Sequence, residues 1–133
     1  MNDKKRVLLV KRANTVQEPG LWSLPGGTKR ENETLEQCLI REIREELGCL
    51  TIKYSFFKSY KIKKNTKTII ANYYTGLIRG HIKINKQELS DYQWLAKKDL
   101  LDNLAYNQNK VLLDFFKKGS SLNNKRKVKN GRG

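Results

Sequence analysis

The chain has 133 residues, 38% hydrophobic and 31% charged, enough for one domain whose core needs no metal or disulfide staple. It has no run of 18 apolar residues, which excludes a membrane-spanning helix, and MNDKKRVLLVKR lacks the apolar length and cleavage site of a secretory signal. The net charge of +15 suits anionic partners, nucleotides or nucleic acid, the plainer reading being a solvated surface rich in Lys and Asn.

Residues 117–133 hold seven Lys/Arg and no acid, leaving +8 for the rest. Cys38 and Cys49 lack metal-ligand spacing and fall at apolar positions, so they read as reduced packing residues of a cytoplasmic protein.

Val7–Val10, flanked by Lys and Arg, reads as a strand buried on both faces. Asn14–Gly20 is a polar loop, Leu21–Leu24 a short extended piece, and Pro25-Gly26-Gly27 a turn. After a polar loop, Thr34 and Gln37 form a capping box. Leu35, Leu39, Ile43 and Leu47 then recur every four residues, and Gly48 stops the helix, predicted over 35–47.

Leu50–Lys61 and Thr66–Thr75 read as an antiparallel hairpin turning at Lys63–Thr66. Leu77–Ile84 is a further strand, set apart by Gly76. Tyr92–Ala96 is a short strand, Lys98–Leu104 a short helix, and Tyr106–Lys118 a helix carrying Val111, Leu112, Phe115 and Phe116. From Gly119 the sequence has no periodicity and reads as a disordered basic tail, so the domain is 1–118 and the tail 119–133.

On a helical wheel Glu42, Glu45 and Glu46 fall within an arc of about 100° that overlaps the margin of the apolar stripe. Carboxylates crowded at a core edge repel one another and resist desolvation, so a cation should offset them. Mg²⁺ or Mn²⁺ suits such oxygen donors. The alternative is a solvated acidic face paired with Arg41 and Arg44.

The spacing around these acids is G-x5-E-x7-R-E-U-x-E-E-x-G-U, with U apolar. Gly27, Glu33, Arg41, Glu42, Ile43, Glu45, Glu46 and Gly48 all match, and only Cys49 stands where Ile, Leu or Val is usual. The fixed positions alone give a chance match on the order of 10⁻⁸ per window. The segment strongly resembles the box of the Nudix hydrolases, the family that includes MutT, and LWSLPGG resembles the family's approach to it.

The resemblance implies a Nudix fold: an α/β/α sandwich around a mixed sheet, with the box as loop–helix–loop. It implies metal-assisted attack of water on a diphosphate joining a nucleoside to another group. Glu42, Glu45 and Glu46 would be metal ligands, joined by the Gly26 carbonyl, with Glu42 a candidate base and Glu33 bracing Arg41. The family often adds an acid shortly before a Trp; Glu88 and Asp91 both precede Trp94. Members usually carry a strand before the VLLVKR-like one, which Met1–Lys5 cannot supply, so that strand is missing or lies upstream.

Outside the box, Arg12 is a candidate phosphate contact beside Lys11, and Trp22 a candidate base-stacking ring. Asn107 stands near the place where an Asn reads the oxidised purine in MutT-like 8-oxo-dGTP diphosphatases; the local match is loose, and an Asn at a helix start is more often a cap. Trp94, Tyr73 and Tyr74 read as packing, and His81 as a strand-surface residue. The substrate expected is a (deoxy)nucleoside triphosphate, including an oxidised one. The alternatives are ADP-ribose or a nucleotide sugar, an RNA 5′ end, and a non-catalytic nucleotide- or RNA-binding module. Nucleic acid would bind through the basic tail, and the chain would be a monomer or homodimer.

Overall fold

Val7, Leu8, Leu9 and Val10 are each at most 1% exposed in the computed structural model, which describes residues 6–14, 19–64, 66–96 and 104–122. They form strand β1 (Val7–Arg12), and alternate residues of a strand point to opposite faces. Val7 and Leu9 enter one core with Leu24, Ala71, Tyr73, Leu112 and Phe115. Leu8 and Val10 enter a second with Leu39, Ile43, Leu47 and Tyr74. The continuous apolar run therefore reflects a sheet covered on both sides, as expected.

Helix α1 (Leu35–Leu47) covers the second face. Thr34 Oγ1 accepts from the Gln37 amide and Gln37 Oε1 from the Thr34 amide, which makes the expected capping box. Gly48 ends the helix at φ 67°, its N–H donating to Arg44 O. Helix α2 (Gln108–Leu122) covers the first face, after a 3₁₀ turn over Ala105–Asn107. It buries Val111, Leu112, Phe115 and Phe116. Residues 119–122 remain in this helix rather than in a tail, because extending a formed helix costs far less than starting one. Residues 123–133 lie outside the described residues.

Strands β2 (Trp22–Ser23) and β5 (Leu89–Leu95) flank β1, both antiparallel. A long hairpin, β3 (Leu50–Lys64) and β4 (Lys67–Arg79), pairs from Leu50–Arg79 to Lys64–Lys67. A parallel bridge joins Trp22 to Leu104. Among the described residues no helix is long and apolar enough to cross a membrane.

Two strand expectations are corrected. β4 runs through Gly76, because β3 bulges opposite it. Lys53 is the extra residue at φ 47°, and a Cβ on Gly76 would lie 2.7 Å from its carbonyl oxygen. Residues 81–84 are not a strand. The segment turns to cap α1: Lys83 N–H donates to Leu47 O (2.8 Å) and Asn85 N–H to Glu46 O (2.9 Å), taking up carbonyls left over at the helix end. His81 is accordingly exposed in a loop.

The last strand starts at Leu89, three residues before the expected Tyr92. Leu104 is extended, while residues 98–103 of the proposed short helix and Met1–Lys5 of the upstream-strand argument lie outside the described residues. Tyr73 and Tyr74 are both core, on opposite faces, and Trp94 packs on the α1 side.

Candidate active site

The loop from Pro25 to Thr34 folds back along α1, and Glu46 and Arg41 hold it there. Glu46, 5% exposed, accepts the Gly26 N–H at Oε1 (2.9 Å). Gly27 lies so close to the Glu42 carboxylate that a Cβ would collide with it. This is a steric reason for glycine at that place in the box.

Arg41 is the hub. Its Nε and Nη2 donate to the two oxygens of Glu33, and Nη2 also reaches Thr28 O (3.2 Å). Its Nη1 donates to Glu42 Oε1 (2.7 Å) and Glu45 Oε2 (3.2 Å). Glu33 also accepts the Arg30 N–H (2.7 Å), so its carboxylate ties loop to helix. The fork geometry is what a guanidinium offers and an ammonium does not. The Arg30–Glu45 pair (3.6 Å) is exposed at both ends and adds little. Arg44 is exposed.

The electrostatics divide the acids. The bonds from Arg41 and the Arg30 amide hold Glu33 down to about 2. Glu42 is pushed up, foremost by burial; Arg41 opposes this, while Glu45 and Glu88 add repulsion. Burial and the nearby Glu33 and Glu42 push the Cys38 thiol up to about 11, so it stays protonated and unreactive. Glu45 is the exposed member, its side chain 45% accessible against 12% for Glu42.

The donors are all carboxylate oxygens, partly desolvated and mutually repelling, which is the chemistry a hard divalent cation takes. Among the described residues they do not converge as a cluster of three or more on one point. Instead Arg41 is the cation that Glu33, Glu42 and Glu45 share.

Glu88 and Asp91 part company. Glu88 O accepts the Ala13 N–H (2.9 Å), and the Glu88 side chain is near enough to Glu42 to repel it. Asp91 pairs across from Lys11, which has the strand parity of Val7 and Leu9. It therefore sits on the α2 side of the sheet and accepts from the Tyr92 amide.

The candidates outside the box gather at the α2 side. The Arg12 guanidinium lies 5.3 Å from the centroid of the Tyr106 ring. Trp22 packs against the α2-side core and bridges to Leu104. The Asn107 backbone closes the 3₁₀ turn immediately before α2.

Sequence reasoning missed Gln108. It is 1% exposed, accepts the Leu24 N–H at Oε1 (2.7 Å) and donates from Nε2 to Tyr73 OH (3.1 Å). It thereby fixes α2 to the strand that leads into the Pro-Gly-Gly turn. The available signal was a polar residue opening an apolar helix in QNKVLL.

The NUDIX domain family model matches residues 1–115. An 8-oxo-dGTP diphosphatase of Buchnera aphidicola is 31% identical over 105 residues, covering 77% of this chain and 74% of that protein. A NAD-capped RNA hydrolase, NudC, of Pseudomonas aeruginosa is 28% identical over 78 residues, 59% of this chain and 28% of that protein. The crystal structure of a MutT NUDIX hydrolase from Burkholderia pseudomallei superposes with a TM-score of 0.76 at 27% identity, covering 86% of this chain and 89% of that one.

Proposed function

The chain belongs to the Nudix family of hydrolases that act on nucleotide substrates, and from that premise we propose that it cleaves a (deoxy)nucleoside triphosphate to release pyrophosphate, with an oxidised purine nucleotide as first candidate. The observation that carries the reading is the carboxylate set at the buried edge of α1, held against a glycine loop by Arg41 and Glu46. A binding module would have no need of Glu42 and Glu46 kept at a desolvated edge beside a third acid, Glu45. The relative that acts on 8-oxo-dGTP supports the choice of first substrate.

Glu42, Glu45 and Glu46 would hold the divalent cation, Mg²⁺ or Mn²⁺, with the Gly26 carbonyl and Glu88 beside them. When bound, the cation neutralises phosphate charge and lowers the pKa of water. With the ion held there, Glu42 and Glu45 would give up their contacts with Arg41 Nη1. The Nε and Nη2 bonds to Glu33 can persist through that exchange, so Arg41 and Glu33 keep the loop in place. Glu42 is also the candidate base for the attacking water. Arg12 and Trp22, beside the turn that ends at Asn107, are the candidate base-side contacts. The two buried free thiols suit a reducing cytoplasm.

The +15 charge favours a second reading, hydrolysis at an RNA 5′ end. A panel with Mg²⁺ separates the two: dGTP, 8-oxo-dGTP, ADP-ribose and 5′-triphosphate RNA. The proposal expects the highest kcat/KM on a nucleoside triphosphate. Turnover of the RNA alone would replace it with the second reading.

A further inference from the structure

Among the described residues, nothing covers one face of the β3–β4 hairpin beyond α1. Tyr74 is buried beneath the helix and donates its hydroxyl to Glu36 Oε2 (2.7 Å). Tyr54 and Phe56 stand edge-on to it, with centroids 6.4 and 5.5 Å away, yet remain 40% and 53% exposed. Further along, the residues on this face follow from the register. Ser59, Lys61 and Lys63 lie opposite Asn72, Ile70 and Thr68, which continue the parity of Tyr74. Lys61 and Lys63 are exposed, and neither has a carboxylate partner among the described residues. The opposite face differs: Tyr60 and Ile62 pack on the α2-side core, and Asp114 takes up Lys58 and Tyr60.

Open rings followed by unpaired cations on one solvated sheet face make a stacking platform with a phosphate track. We propose that this face docks single-stranded nucleic acid, with bases stacking on Phe56 and Tyr54 and phosphates running past Lys61 and Lys63. Stacking tolerates any base and the lysines contact only the backbone, so the surface is sequence-tolerant. The two lysines are about 6.6 Å apart along the strand, so they contact separate phosphates. The nearby acid, Glu36, is already engaged by Tyr74. A second copy of this chain is the poorer occupant, since a two-fold pairing of the face with itself would gather the lysines of both copies. The inference does not depend on the substrate proposed above.

The test is anisotropy of the full chain with a labelled 5′-hydroxyl oligouridylate, which offers the hydrolytic site no terminal polyphosphate. Phe56→Ala should weaken binding about tenfold and Phe56→Trp should restore it. Lys61→Gln with Lys63→Gln should reduce the steepness of log K against log salt by about 1.4. Hydrolysis of a mononucleotide should stay at the parent level in all of them, which shows the fold intact. The proposal is overturned if the parent does not bind. Variants that bind like the parent would place the contact elsewhere, with residues 123–133 the first candidate. A Phe56→Ala effect only on sedimentation mass would assign the face to a second copy. An effect only on anionic vesicles would assign it to a membrane surface.

Discussion

Replacing Gly27 with alanine puts a methyl group into the space that the Glu42 carboxylate occupies. Ordinary contact between carbons is roughly 3.5–4 Å, so the carboxylate must retreat by about 1 Å. It lies at the end of a flexible side chain, so the backbone need not move. The strain is that of one off-rotamer side chain, about 0.5–1.5 kcal/mol. For a chain of this size that is a fall in Tm of roughly 2–6 °C. A catalytic carboxylate misplaced by 1 Å costs about 10²-fold in rate. Gly27→Ala should therefore keep its fold and lose its turnover. Melting followed by circular dichroism, with pyrophosphate release measured on the same sample, reads both quantities. A variant with parental kcat/KM would refute the role given to the Gly27–Glu42 approach. A variant that fails to fold would refute the claim that the backbone is spared.

Three further substitutions probe the supports. Gln108→Ala leaves the Leu24 N–H in the core without its acceptor and takes one partner from the Tyr73 hydroxyl; at about 1–3 kcal/mol for the buried amide, urea unfolding should show a loss of at least that size. Glu33 titrates near 2 in the fold against 4.5 ordinarily, so its contribution is complete above 4.5 and is lost as pH falls through that interval. Glu33→Gln should flatten the stability profile there, and melts across that range check it; an unchanged profile contradicts the pairing. Glu42 is shifted upward, so its ionised form costs stability above its ordinary range and a neutral residue does not pay it. Metal-free Glu42→Gln should match or exceed the parent in Tm at pH 7 while turnover falls by about a hundredfold or more.

Much of the site could be read from the chain because it is local. The Thr34–Gln37 box, the four-residue apolar repeat and Gly48 all act within one helix, and the box spacing joins that helix to its loop. What the sequence left open depended on partners distant along the chain. Gly76 looked like a break between strands, yet it is the place where the β3 bulge at Lys53 needs a residue without a side chain. The segment after Arg79 is apolar enough for a strand, but its amides go to the end of α1 instead. By distance from Trp94, Asp91 had the usual three-residue spacing and Glu88 the longer reach, and either could have been the extra acid. Their surroundings separate them: Asp91 lies within β5 on the α2 side, whereas Glu88 precedes that strand and its side chain is near enough to Glu42 to repel it. Gln108 was passed over because its partners, Leu24 and Tyr73, lie 84 and 35 residues away.

In the reading proposed above, carboxylates of α1 would hold a divalent cation where water attacks a nucleotide diphosphate linkage. Glu46→Gln keeps an oxygen to accept the Gly26 N–H, so the loop anchor survives while the charge is lost. Glu45→Gln removes the exposed charge. The direct measurement is pyrophosphate release from 8-oxo-dGTP and dGTP across a Mg²⁺ titration, for the parent and both variants. The account predicts metal-dependent turnover by the parent and its loss in each variant at unchanged Tm. Variants that turn over like the parent at every Mg²⁺ concentration would contradict it.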